Sequence, residues 1–499
     1  MKANTDLVLA PGLSVGLADG GIKEDVKDLG CLGVVAKIWD ELGLSALLDS
    51  SIAVEEEVQL SPGLAFKAMV LNIIGGRDPL YRVQDWAKGV PLELVVGKGV
   101  RAEQLNDTTL ARHLDRLFDA DGEAVFNAAC MRVIEKEGID TGRVHADTTS
   151  RLVFGEYVRE DDETISITRG HSKDKRPDLK QVMYGLTTST DGVPLAGQLL
   201  SGNTSDKKWH GGMLDIVNKM LVVDRKKSVH YVGDSALVTS ANLDLAAKHG
   251  IVLTARIPRN VTLCRTTVER ALKEPSTMTA LGTFTERKGA TTYEGCVIEK
   301  CELFGHQVQV GVFRPTPSNE LAKDKVARRQ RHALEDANKE ASTLRKRRFG
   351  CEVDARSSLS AFDGKHKNRL LSIKGDIVTE TIEGKRPPGR PRKGAEVPTT
   401  MQHRVTLVIE ADDAGRQAAT DEESVFVLVH TGTTSLGPKE MLAAYKGQIV
   451  VETRFPFLKD PAWAEVFFIK TPHRLEALGY VLLLALLVCP ESGSVAQRP

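Results

Sequence analysis

Between residues 141 and 258 the apolar segments follow an order that few sheet topologies accept. Short apolar runs at 144–147, 181–188 and 194–200 predict strands, and the last two flank the turn residues Asp191-Gly192. A helical pattern follows at 206–222, with Met213, Ile216, Val217 and Met220 on one face. A fourth strand is predicted at 229–233, ending at Asp234. A helix at 240–249 stops at Gly250, a suitable C-terminal cap, and a fifth strand covers 251–257. The order is β-β-β-α-β-α-β, an antiparallel meander followed by α/β crossovers.

This is the order of a ribonuclease-H-like sheet, in which the first and fourth strands lie side by side. Asp147 ends the first strand and Asp234 the fourth, so the two acids are expected to be neighbours in space. Ligands of open α/β sheets gather at strand carboxyl ends near a topological switch, which favours that placement. An isolated Asp at a strand end is more often an Asx turn or a helix cap. Two acids ending neighbouring strands say more, because paired carboxylates repel and call for a cation between them.

The rest of the chain frames this core. Residues 1–140 read as a helical N-terminal domain: Val35, Ile38, Trp39 and Leu42 share a helical face, and Asp107 is placed to cap a helix bearing Leu110, Leu114, Leu117 and Phe118. Its scattered Arg and Lys residues suit either a DNA-reading module or the solvated face of an ordinary bundle. The core proper divides into 141–258 and 431–488. Between them, 259–430 reads as a mostly β insertion carrying a charged helix at 319–348, and 489–499 is a polar tail. The longest apolar run, 477–489, falls short of the roughly 20 residues that span a bilayer and is expected to be a buried helix.

Composition excludes little. The 499 residues include 67 basic and 67 acidic side chains, a formal charge of zero, so the chain as a whole gives no sign of a nucleic-acid partner. The seven cysteines are scattered without a C-x-x-C pair, which points to reduced thiols and away from a zinc site. His145, His171, His210 and His230 lack metal-ligand spacing and are expected to be polar or DNA-facing.

Local segments are more specific. Tyr445, Gln448, Glu452 and Lys459 share one face of a straight helix, predicted over 438–455 and opened by Pro438. Tyr445-Lys446-Gly447-Gln448, Val451-Glu452 and Phe457-Leu458-Lys459 together resemble the Tyr-x2-Arg-x3-Glu-x6-Lys motif of a large group of bacterial insertion-sequence transposases. The stretches 170–181, 201–206, His145-Ala146-Asp147-Thr148-Thr149 and Gly233-Asp234-Ser235-Ala236 resemble other motifs of the same group, in the same order. The resemblance runs from about residue 30 to 485.

It implies an α/β fold: a ribonuclease-H-like mixed sheet interrupted by a mostly β insertion, with an N-terminal helical domain. Asp147, Asp234 and Glu452 would form a DDE triad holding two Mg²⁺ ions, for which Mn²⁺ can substitute. Tyr445, Gln448 and Lys459 would hold DNA backbone, as would Lys173 and Arg176 of the second motif. The implied activity is cut-and-paste DNA transposition, with cleavage and strand transfer at insertion-sequence ends. The implied partners are double-stranded DNA, as transposon ends and target, and a second copy of the chain in a synaptic homodimer. The implied location is the bacterial cytoplasm, on the nucleoid.

Two departures stand out: Gln448 replaces the family's Arg, and Pro456 is expected to kink or end the helix before Lys459. With the abrupt polar turn after Val488, they motivate a second expectation, a catalytically impaired or truncated transposase acting as a DNA-binding protein. The segment 385–393 resembles an AT-hook, with Arg390 and Arg392 presented on proline-extended backbone to an A·T minor groove. A basic linker is the plainer reading of the same residues.

Overall fold

The computed structural model describes residues 14–18, 21–25, 29–55, 58–157, 164–171, 176–221, 228–286, 289–316, 320–383, 399–460, 469 and 471–489. Its strands in chain order are β1 (Ser14–Ala18), β2 (Gly21–Asp25), β3 (Arg143–Val153), β4 (Lys180–Ser189), β5 (Pro194–Ser201), β6 (His230–Gly233) and β7 (Val252–Arg256). There follow β8 (Thr279–Glu286), β9 (Gly289–Leu303), β10 (His306–Thr316), β11 (Arg348–Phe349), β12 (Leu371–Glu383), β13 (Thr399–Ala411) and β14 (Phe426–His430). The chain is mixed α/β and divides into two compact units. One holds Met1–Pro258, Ile298–Val310 and Leu428–Pro499, the other Arg259–Val297 and Gly311–Val427.

The sheet of the first unit runs β5-β4-β3-β6-β7-β14. β3, β4 and β5 form an antiparallel meander. β6 lies parallel to both β3 and β7, and β14 closes antiparallel on β7. The first and fourth strands of the 141–258 segment are therefore neighbours. β3 does not end at Asp147 as its apolar run suggested. Thr148, Thr149 and Ser150 are buried and continue the ladder opposite Gly185, Tyr184 and Met183 of β4, so their hydroxyls did not mark an exit. Only the pairing with β6 stops short of Asp147, its last partners being His145 and Val232.

Helices fill residues 32–137, but they do not form a core of their own. Leu48, Phe66, Leu114 and Phe126 belong to one apolar cluster with Tyr184 and Leu186 of β4 and with Leu478, Leu482 and Leu484 of the helix Pro472–Val488. Truncating a fully buried ring such as Phe126 to Ala should cost about 3–5 kcal/mol. Asn106, not Asp107, caps the helix Asp107–Asp119: its side chain accepts from the Thr109 amide at 2.9 Å, one position earlier than expected. Among the described residues no helix is long and apolar enough to cross a membrane.

The second unit is largely β with one long charged helix. β8 and β9 form a hairpin, and β11-β13-β12 a three-stranded sheet. The helix Glu320–Lys346 turns Ala337 and Ala341 into a small core with Phe349, Phe362, Leu371, Val405 and Leu407. Of its cationic side chains, Arg345 is committed to the Leu407 carbonyl, donating from Nη2 at 2.7 Å and from Nε at 3.2 Å. Arg390 and Arg392 lie outside the described residues, as does the whole AT-hook-like segment 385–393.

Candidate active site

Asp147 and Asp234 stand at one level of two adjacent parallel strands. The β3–β6 register pairs His145 with Val232, and each acid lies two residues further along its own chain. Neighbouring strands are about 4.8 Å apart, so the acids face the same region of the sheet edge. The chain turns sharply after β6 because Asp234 accepts from the Ala236 amide at 2.9 Å, capping the short turn Ser235–Leu237. Asp147 accepts from the Thr148 amide at 2.7 Å. The Thr148 hydroxyl in turn donates to Asp206 at 2.7 Å, tying β3 to the first turn of the helix Asp206–Leu221.

The third acid arrives on a broken helix. In place of one helix over 438–455 there are three segments, Pro438–Lys446, Ile449–Glu452 and Phe455–Lys459. Around Gly447 the backbone tightens to three-residue closures: the Gln448 amide bonds the Tyr445 carbonyl at 3.1 Å, and the Val450 amide bonds that of Gly447 at 3.0 Å. Pro456 sits in the first turn of the last segment, where a missing N–H costs nothing. Tyr445, Gln448, Glu452 and Lys459 therefore do not share the face of one straight helix, because the pattern argument assumed an unbroken 3.6-residue period.

The sheet nonetheless gathers most of these residues. The segment with Glu452 packs on β3 and β4, and the helix with Tyr445 packs on β6 and β7. Tyr445 holds its proton unusually tightly. Burial is the main cause and pushes its hydroxyl up to about 12; Arg256 works against this, and the charges of Asp234, Glu452 and Asp147 add to it. All three acids thus act on one phenol. Asp234 and Asp147 also add to the burial that raises Tyr231. Each of the three acids is partly exposed. Among the described residues no three His, Cys, Asp or Glu side chains are gathered in metal-ligating geometry.

Gln448 is buried and aims its amide at the Ala146 carbonyl, 3.4 Å away, next to Asp147. It faces the sheet. Arg454 is buried too, with a guanidinium nitrogen 3.5 Å from the Asp191 carbonyl. Lys459 ends the last segment, partly exposed. Arg176 is exposed and forms a two-pronged pair with Asp178, at 2.9 and 2.8 Å, which lowers the Asp178 carboxyl to about 2. Lys173 lies outside the described residues. His171, Asn203, Ser205, Asp206, Lys207 and Ala236 line a cavity of about 330 Å³.

Of the histidines expected to be polar or DNA-facing, His171 is exposed, whereas two turn inward. His145 and His210 are buried, and burial, with Arg143 adding, lowers His145 to about 4. His230 donates to or accepts from Thr254 at 2.7 Å, and Thr254 meets His430 at 2.9 Å. The fold gives three residues roles that the sequence patterns did not assign: His210 bonds Asp234, Asp206 accepts from the Thr148 hydroxyl, and Arg256 acts electrostatically on Tyr445. His210 stood out only as one of several histidines, and Asp206 only as the last residue of the 201–206 stretch.

Comparison with known proteins gives remote likenesses. Residues 24–131 match a family model described as Domain of unknown function (DUF4277). No curated protein sequence matches the chain. Among solved structures, the chain is similar to a piggyBac transposase synaptic complex with hairpin DNA, at a TM-score of 0.37 and 8% identity, over 93% of this chain and 75% of that one. It is also similar to the Mos1 mariner paired end complex with Mn, at a TM-score of 0.17 and 12% identity, over 35% of this chain and 56% of that one.

Proposed function

We propose that this chain is a DDE transposase of the insertion-sequence type, built on a ribonuclease-H-like sheet, and that Asp147, Asp234 and Glu452 are its catalytic acids. The observation that carries the reading is geometric: the β3–β6 register puts Asp147 and Asp234 at one level of adjacent strands, and the segment bearing Glu452, more than two hundred residues further on, packs on β3 and β4. Three partly exposed carboxylates offer hard oxygen donors of the kind that Mg²⁺ or Mn²⁺ takes. Like charges repel, so a bound cation would favour drawing the three carboxylates closer together. Bound there, two such ions would supply an activated hydroxyl nucleophile and charge stabilisation at the leaving oxygen.

The chain's own residues have separable roles in this reading. Asp147 and Asp234 would hold the ions where β6 ends beside β3, and Glu452 would complete the set. Tyr445 stays protonated across the working pH range, so it donates a hydrogen bond to a DNA phosphate and does not attack phosphorus. Arg256 supplies the fixed cation that Gln448 lacks, and Lys459 a second. The partners are transposon ends and target DNA, the active form a homodimer, and the setting the bacterial cytoplasm. The buried, uncharged Gln448 favours one second reading, an impaired transposase that binds DNA without cutting it.

The test uses the purified full chain and a supercoiled plasmid carrying the coding sequence with its native flanks. With Mg²⁺ or Mn²⁺ the chain should cut at the element ends and join them to target. Asp147→Ala, Asp234→Ala and Glu452→Gln should each abolish cutting while leaving the gel shift of end DNA intact. Cutting by Asp147→Ala would overturn the assignment. End binding without cutting by the natural chain would select the second reading.

A further inference from the structure

His210 is 1% exposed, and both of its ring nitrogens are engaged. Nδ1 lies 3.0 Å from the Tyr231 hydroxyl and Nε2 lies 3.2 Å from Asp234 Oδ1. Tyr231 is itself fully buried. The imidazole therefore bridges the phenol and the carboxylate, with Nε2 facing Asp234. The ring is held on its other sides. Trp209 packs on it at 4.8 Å between centroids, Tyr231 meets it edge-on, and a Cβ at Gly233 would come within 3.0 Å of its Cε1.

Two donors thus converge on Asp234 Oδ1, the His210 ring and the Ala236 amide. Together they fix the plane of that carboxylate and the direction in which its second oxygen points. We propose that Tyr231, His210 and Asp234 form a relay in which His210 is a positioning residue, orienting Asp234 to receive a divalent cation. This rests on the reading of Asp234 as a metal-binding acid. Outer partners that orient a ligating group typically change metal affinity 10- to 100-fold when removed.

The experiment measures Mn²⁺ binding to the full-length protein by electron paramagnetic resonance, with thermal melting as the folding control. Asp234→Ala should remove binding. His210→Ala should weaken it about 10- to 100-fold. His210→Gln, whose amide reaches toward the place of Nε2–H, should restore part of the loss, and Tyr231→Phe should show a smaller loss than His210→Ala. Cleavage by His210→Ala should recover at raised Mn²⁺, which a purely structural defect would not allow. Wild-type affinity in a folded His210→Ala would overturn the relay while leaving the metal site standing. Should His210→Ala fail to fold, unchanged affinity in Tyr231→Phe and His210→Gln alike would overturn it. No Mn²⁺ binding by the natural chain would instead overturn the metal reading of Asp234, and the relay with it.

Discussion

Gly447 lies directly against His145: a Cβ on Gly447 would stand 2.7 Å from Cε1 of the imidazole. His145 is buried on β3, two residues before Asp147, and Gly447 sits five residues before Glu452. The absence of a side chain at Gly447 is what lets the segment bearing the third acid seat on the strand bearing the first. Gly447→Ala should therefore cost about 1–3 kcal/mol by overpacking and should impair cleavage beyond its effect on stability. A double-mutant cycle with His145→Ala reads the contact: the two costs should fail to add. Additive costs would mean that the close approach is not what holds the segment.

Gln448 faces the Ala146 carbonyl from a buried position. Gln448→Arg, which recreates the residue of the resembling family, would bring a guanidinium into this site. We expect a loss of stability of a few kcal/mol and no gain in cleavage, measured by urea unfolding and the plasmid assay. A gain in cleavage would show that the segment re-seats to turn residue 448 outward.

Pro456 occupies the first turn of its helix, where no backbone hydrogen bond is lost to it. Pro456→Ala should lower stability by less than about 1 kcal/mol, through the freedom it returns to the unfolded chain, and should leave cleavage unchanged. A large gain in stability on this substitution would mean that the proline strains the helix.

His113 is fully buried beside the ring of Phe66, and burial, with Arg116 adding, lowers it to about 4 from an ordinary 6.5. The folded chain thus holds it neutral where the unfolded chain would protonate it. Its contribution to stability is complete above pH 6.5 and is lost as the pH falls toward 4, with no further loss below. In that window His113→Gln should flatten the pH dependence of unfolding free energy by up to about 1.4 kcal/mol per pH unit, one proton's worth. Parallel curves for the natural and substituted chains would show that His113 is protonated in the fold.

Much of the sheet was legible because each of its elements leaves a local mark. Alternating or continuous apolar runs, the Asp191-Gly192 turn and the Gly250 cap placed β4, β5, β7 and the helix Ser240–His249 within a residue or two. Errors came where a residue's neighbours in space decided its role. The hydroxyls of Thr148 to Ser150 read as an exit from a strand, yet burial against β4 makes them its continuation. His145 and His210 read as polar or DNA-facing groups, yet both pack inside the first unit.

The sequence alone determined the strands that carry Asp147 and Asp234, since apolar periodicity is a property of short stretches of chain; Glu452 was singled out by the family resemblance of its own segment. Only the tertiary structure decided what surrounds them. The interruption at Pro456 is local and legible in the sequence, but the break at Gly447, the inward turn of Gln448 and the contacts of His210 and Arg256 arise between segments far apart in the chain. No local preference encodes such contacts, because packing is settled by shape and charge across the whole core.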